Sequence, residues 1–127
     1  SAPEKAYRMM TSWGHGPGAH KFDNTQPGHA FLEYGRRVMA QNDGTALHAD
    51  LVACNSYDGG KDAAASVAQP SLCLLAGKDK MTPVKLGHKM AERISGAQCH
   101  VFERAGHFLP AEFPIEVNEA MAAFLSC

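Results

Sequence analysis

The chain has 127 residues, 45% of them hydrophobic and 20% charged, with a formal net charge of −1. That is one domain with a modest core and the composition of a globular protein. The near-neutral charge excludes the basic footprint of a nucleic-acid binder, and no apolar run reaches the roughly 20 residues that cross a bilayer. The opening, SAPEKAYRMM, lacks the apolar stretch of a signal peptide. A cytoplasmic protein with neither nucleic-acid nor membrane partners is expected, its start trimmed, processed or engineered because no initiator Met is present. Cys54, Cys73, Cys99 and Cys127 form no C-x-x-C pair, so they are expected to be reduced structural thiols.

Residues 1–68 read as helical, interrupted by one glycine-rich loop. Pro3 to Trp13 is expected to be a short helix. Gly14 to Gly28, GHGPGAHKFDNTQPG, has the glycines, prolines, Asn and Asp of a loop. His15, His20, Asp23 and His29 fit no common metal-ligand spacing, so no metal or other cofactor is expected. Phe31, Tyr34 and Val38 fall on one face of a helix spanning His29 to Gln41. Asn42-Asp43-Gly44 ends that helix, and Thr45 is expected to cap the next, in which Leu47 and Leu51 lie four apart. Tyr57 to Gly60 is a turn, and Lys61 to Val67 a short alanine-rich helix. None of these segments alone indicates a function.

Residues 69–127 read as strand–helix–strand–helix. Leu72 to Ala76 is a continuous apolar run, expected to be a parallel strand covered on both faces. Thr82-Pro83 opens a helix over Val84 to Ser95, with Leu86, Met90 and Ile94 as its repeat and Gly96 as its stop. Gln98 to Glu103 reads as the second strand. Pro114 opens the last helix, with Val117, Met121, Phe124 and Leu125 on its expected buried face. Parallel strands end at one edge of the sheet, where ligand sites of open α/β sheets form. Asp79 follows the first strand and His107 the second, so local reasoning brings a carboxylate and an imidazole together. Such a pair suits acyl transfer: the imidazole moves the proton, and the carboxylate fixes its tautomer. Taken singly, Asp79 is a turn-capping aspartate and His107 a loop histidine; the strand–helix–strand context favours the pair.

PSLCLLAGKDKMTP, then ISGAQCHVFERAGHFLPAEFP, then EAMAAFLSC, resembles the C-terminal part of an α/β-hydrolase-fold protein over Pro70 to Leu125. The resemblance lies in a strand ending Gly-x-x-Asp, a helix, a strand, a Gly-His, an acidic residue with Pro, and a helix ending Phe-Leu. Residues 1–68 are similar to the end of the cap over the active site in that family, and Ala53 to Asp58 to what precedes this strand there. The resemblance implies an α/β fold: a helical cap-like segment, 1–68, followed by a parallel β-α-β-α portion of the hydrolase core, 69–127. It implies Asp79 as the triad acid and His107 as the triad base.

The family's nucleophile precedes the acid on a strand-borne G-x-S-x-G elbow. Ser12, Ser56 and Ser66 precede Asp79, but none lies between glycines or after an apolar strand. His15-Gly16 echoes the family's oxyanion loop but is not assigned to it, because no elbow follows. The implied function is hydrolysis of an ester, lactone, thioester or carbon–carbon bond in a small apolar substrate. The nucleophile lies outside this chain, which is expected to be inactive alone. The alternative is a non-catalytic small-ligand or protein-binding module of the same fold. Met81, Phe108 and Leu109 are candidates for either a pocket lining or packing, and Glu112 for a helix start. The unflanked first strand is expected to associate with a second copy or with the missing N-terminal half.

Overall fold

The structure is a computed structural model that describes residues 2–17 and 31–126. The loop assigned to Gly14–Gly28 is therefore described only up to Pro17. His20, Asp23, His29 and Cys127 lie outside the described residues. Among the described residues four helices come first: α1 (Ala2–Gly14), α2 (Phe31–Gln41), α3 (Gly44–Ser56) and α4 (Gly60–Ala65). The order then becomes β1 (Leu72–Ala76), α5 (Val84–Ala91), β2 (Gln98–Phe102), α6 (Leu109–Glu112) and α7 (Pro114–Leu125). No helix among the described residues is long and apolar enough to cross a membrane.

β1 and β2 pair in parallel, in register from Leu72 opposite Gln98 to Ala76 opposite Phe102. Side chains alternate across the pleat. Leu74, Ala76 and Phe102 enter a core with Ala105, Leu109, Phe113, Val117 and Ala120. On the other face α5 lies so close that a Cβ on Gly87 would sit 2.7 Å from Leu75 Cδ2. The backbone pairing continues past the strands: Gly77 N–H donates to Phe102 O at 2.9 Å and Lys78 N–H to Ala105 O at 2.9 Å. A Cβ on Gly77 would lie 2.8 Å from both Glu103 Cα and Glu103 O, so this close approach requires glycine.

Several expected contact faces are rotated. In α5 the residues turned inward are Val84, Gly87 and Ala91, while Leu86 and Met90 are 55% and 37% exposed. Small side chains let the helix approach β1, and that approach outweighs the pull of the larger apolar repeat. The helix also stops at Ala91, short of Ser95, with Gly96 at φ 71° in the turn beyond. In α7 the inner face is Val117, Ala120 and Phe124; Met121 and Leu125 are exposed. β1 is half-buried, with only Ala76 fully covered, because the described sheet has just two strands. In α2 the inward stripe is Leu32, Gly35, Arg36 and Met39, leaving Tyr34 and Val38 exposed. Gly35 rests on Thr11 of α1, and Arg36 ties the two helices by a 2.9 Å bond from Nη1 to Glu4 Oε1. The cap of α3 is Asp43, whose carboxylate accepts the Thr45 N–H at 2.9 Å, rather than Thr45 itself. Leu47 of α3 is half-buried and Leu51 exposed.

Gly77→Ala is expected to lower stability by about 1–3 kcal/mol, the cost of forcing a methyl group into a filled site. Leu86→Ala, on an exposed face, should stay within about 0.5 kcal/mol. Urea midpoints compared at unchanged slope test both.

Candidate active site

The two loops beyond the ends of β1 and β2 bring Asp79 and His107 into contact. His107 Nδ1 lies 2.9 Å from Asp79 Oδ2. An ionised carboxylate only accepts, so Nδ1 carries the hydrogen and donates it. His107 Nε2 has no hydrogen-bond partner among the described residues. The Asp79 side chain is 8% exposed and that of His107 35%. The carboxylate is thus shielded, while the imidazole keeps an accessible edge.

Local backbone geometry aims the aspartate. Asp79 Oδ1 accepts the N–H groups of Met81 and Thr82, each at 2.8 Å. The Thr82 hydroxyl donates to Oδ2 at 2.7 Å and lies 3.3 Å from His107 Nδ1. Burial pushes the Asp79 carboxyl up, but the Thr82 hydroxyl, the Thr82 amide, His107 and the Met81 amide together outweigh it. The group is held below the ordinary aspartate range. Thr82 was legible only as a helix cap, yet α5 starts at Val84 with Pro83 as its N-cap and no side-chain cap bond; the loop's turn commits the Thr82 hydroxyl to Asp79 instead.

Glu112 is the site residue that its position in the sequence did not reveal. Its carboxylate accepts the Gly16 N–H at 2.9 Å and the Gly106 N–H at 3.1 Å. It therefore fastens the end of the first helical segment to the residue preceding His107. Phe108 N–H donates to Gly14 O at 2.9 Å, and the buried His15 ring packs 4.9 Å from that of Phe108. Gly16 and Gly106 approach so closely that a Cβ on Gly106 would overlap the Gly16 backbone. No local pattern encodes this contact, since Glu112 and Gly16 are 96 residues apart.

Of the other candidates, Leu109 is core packing. Phe108, 39% exposed, stands edge-on to His107 with ring centroids 5.9 Å apart. Met81 is 37% exposed. A cavity of about 220 Å³ beside the pair is lined by Leu74, Leu75, Ala76, Asp79, Thr82, Val84, Gly87, His107 and Leu109. The hydroxyls of Ser56 and Ser66 bond carbonyls of their own helices, those of Ala53 and Ala63. No described serine hydrogen-bonds to His107. Among the described residues, no group of three or more His, Cys, Asp or Glu could hold a metal ion.

A carboxyl whose folded pKa is depressed contributes stability that is present above its unfolded pKa and lost as pH falls through the folded value. Asp79→Asn is therefore expected to flatten the loss of stability below about pH 4, followed by urea midpoints across pH. Glu112→Ala strands two inward N–H groups and is expected to cost about 1–3 kcal/mol, read by the same unfolding measurement.

No protein-family model and no curated protein sequence matches the chain. Solved structures do. An esterase from Exiguobacterium antarcticum aligns at TM-score 0.79 and 15% identity, over 98% of this chain and 43% of its own. A bromoperoxidase from Bacillus anthracis aligns at TM-score 0.81 and 21% identity, over 98% of this chain and 44% of its own. A hydrolase from Pseudomonas aeruginosa PA01 aligns at TM-score 0.79 and 21% identity, over 97% of this chain and 44% of its own. The chain thus spans less than half the length of the structures it matches, and at these identities the likeness is one of fold. Those structures are α/β-hydrolase-fold proteins, and this chain carries part of the α/β-hydrolase fold.

Proposed function

We propose that this chain supplies the acid–base part of a hydrolase of the α/β-hydrolase fold. The observation that carries the reading is the 2.9 Å contact of His107 Nδ1 with the shielded Asp79 carboxylate, which leaves Nε2 available at an accessible edge. In this reading Nε2 takes the proton of an attacking serine hydroxyl and returns it to the leaving group. Asp79 holds the Nδ1–H tautomer and stabilises the imidazolium as it forms. Thr82 and the Met81 amide keep the carboxylate ionised and aimed.

The nucleophile and the amides that would hold the oxyanion come from outside these residues. Residues 1–68 act as the end of a cap, and residues 69–127 as the C-terminal β-α-β-α portion of the core. The free edge of β1, beside the cavity at Asp79, is the surface on which the strand-bearing nucleophile half docks, a second copy of the chain being the other occupant. The substrate is a small apolar molecule with an ester, lactone, thioester or carbon–carbon bond to be cleaved.

The second reading is a non-catalytic small-ligand or protein-binding module of the same fold, in which the Asp79–His107 pair serves no nucleophile. The two readings part on the upstream coding sequence, where a strand-borne G-x-S-x-G supports the enzyme.

In a protein that includes such an elbow, Asp79→Asn should lower kcat on nitrophenyl esters by about 10⁴-fold, with His107→Ala similarly severe. The 127-residue chain by itself should show no turnover above its own His107→Ala control. Unchanged kcat in either full-length variant, or His107-dependent turnover by the chain alone, would contradict the reading.

A further inference from the structure

At the opposite end of the sheet from Asp79 and His107, two cysteines stand side by side on adjacent strands. Cys73 and Cys99 are register partners across the parallel ladder, so their side chains leave the same face. Neighbouring strands lie about 4.8 Å apart, within the separation of about 4.4–6.8 Å over which a disulfide joins two Cα atoms. Both cysteines are free; Cys99 is exposed and Cys73 partly so. On α5, which covers this face, His88 Nδ1 lies 3.8 Å from Cys99 Sγ. Burial, and then the neighbouring Cys73 sulfur, push the Cys99 thiol up. Cys99 is thus a protonated thiol with the His88 ring beside it.

We infer that Cys73 and Cys99 form a reversible thiol–disulfide modification site, with His88 as the proton acceptor for Cys99 and a low-molecular-weight disulfide as the oxidant. His88 takes the Cys99 proton. The thiolate attacks one sulfur of the small disulfide, breaking its S–S bond, forming a mixed disulfide and releasing one thiol. Cys73 then loses its proton and attacks the Cys99 sulfur, releasing the second thiol. Two protein S–H bonds and one small-molecule S–S bond become one protein S–S bond and two small thiols, the electron pair passing to the oxidant. The product staples β1 to β2, and it does not depend on the hydrolase reading, because neither Asp79 nor His107 takes part.

The test treats Cys54→Ser/Cys127→Ser protein with oxidised glutathione, blocks residual thiols by alkylation and maps tryptic peptides. The expected product joins the peptide of residues 62–78 to that of residues 94–104, is reversed by dithiothreitol, and unfolds at higher urea than the reduced protein. Cys73→Ser should trap Cys99 as its glutathione adduct, and His88→Ala should slow the linkage without lowering the urea midpoint of the reduced protein. Glutathione retained on Cys99 while Cys73 is alkylated, or both cysteines alkylated, would overturn the site. Linkage at an undiminished rate in His88→Ala would overturn the role of His88.

Discussion

The parallel pairing of β1 with β2 is the constraint on which the rest depends. It brings the ends of both strands to one edge of the sheet, and two further backbone bonds carry the pairing into the loops, from Gly77 to Phe102 and from Lys78 to Ala105. These bonds hold the two loops at a fixed spacing. Asp79 and His107 then need only their own turns to meet: the Asp79 turn closed by the Met81 and Thr82 amides, the His107 turn by Glu112 on Gly106. A carboxylate that accepts several N–H and O–H bonds keeps its charge despite burial, which is the condition for donation from Nδ1.

Close approach, more than apolar volume, decides how the helices sit. Gly87 against Leu75, Gly35 against Thr11, and Gly77 against Glu103 are contacts that a methyl group would block. Each lets a backbone come near its neighbour. Leu86, Ile115, Leu125 and Tyr57 are among the large apolar side chains left exposed. The described core is correspondingly small, gathered around Ala105 and the inner face of α7. The structures that share the fold are more than twice as long, this chain covering 43% and 44% of two of them.

Glu112 links the two sequence halves at the point where chemistry is proposed. A half-buried carboxylate that accepts two backbone N–H groups makes charge-assisted bonds, stronger than neutral ones. It sets the residue before His107, while Phe108 carries His15 and Gly14 against the same loop. The end of α1 is therefore bonded directly to the backbone of the His107 turn. His15-Gly16 is part of this joint.

The sequence alone determined β1, whose ends match the expected Leu72 to Ala76, along with the parallel crossover and the candidate pair Asp79 and His107. These follow from local signals: an apolar run, a proline just before the helix start, and the rule that parallel strands end together. It also carried the fold, through the order of its short motifs. Tertiary structure alone decided which helix faces turn inward, because small residues at close contacts outweighed the apolar repeats of Leu86–Met90 and Tyr34–Val38. It alone decided the roles of Glu112 and Thr82 and the side-by-side placement of Cys73 and Cys99. Those depend on which distant backbones and strands come to lie side by side, and no local spacing records that.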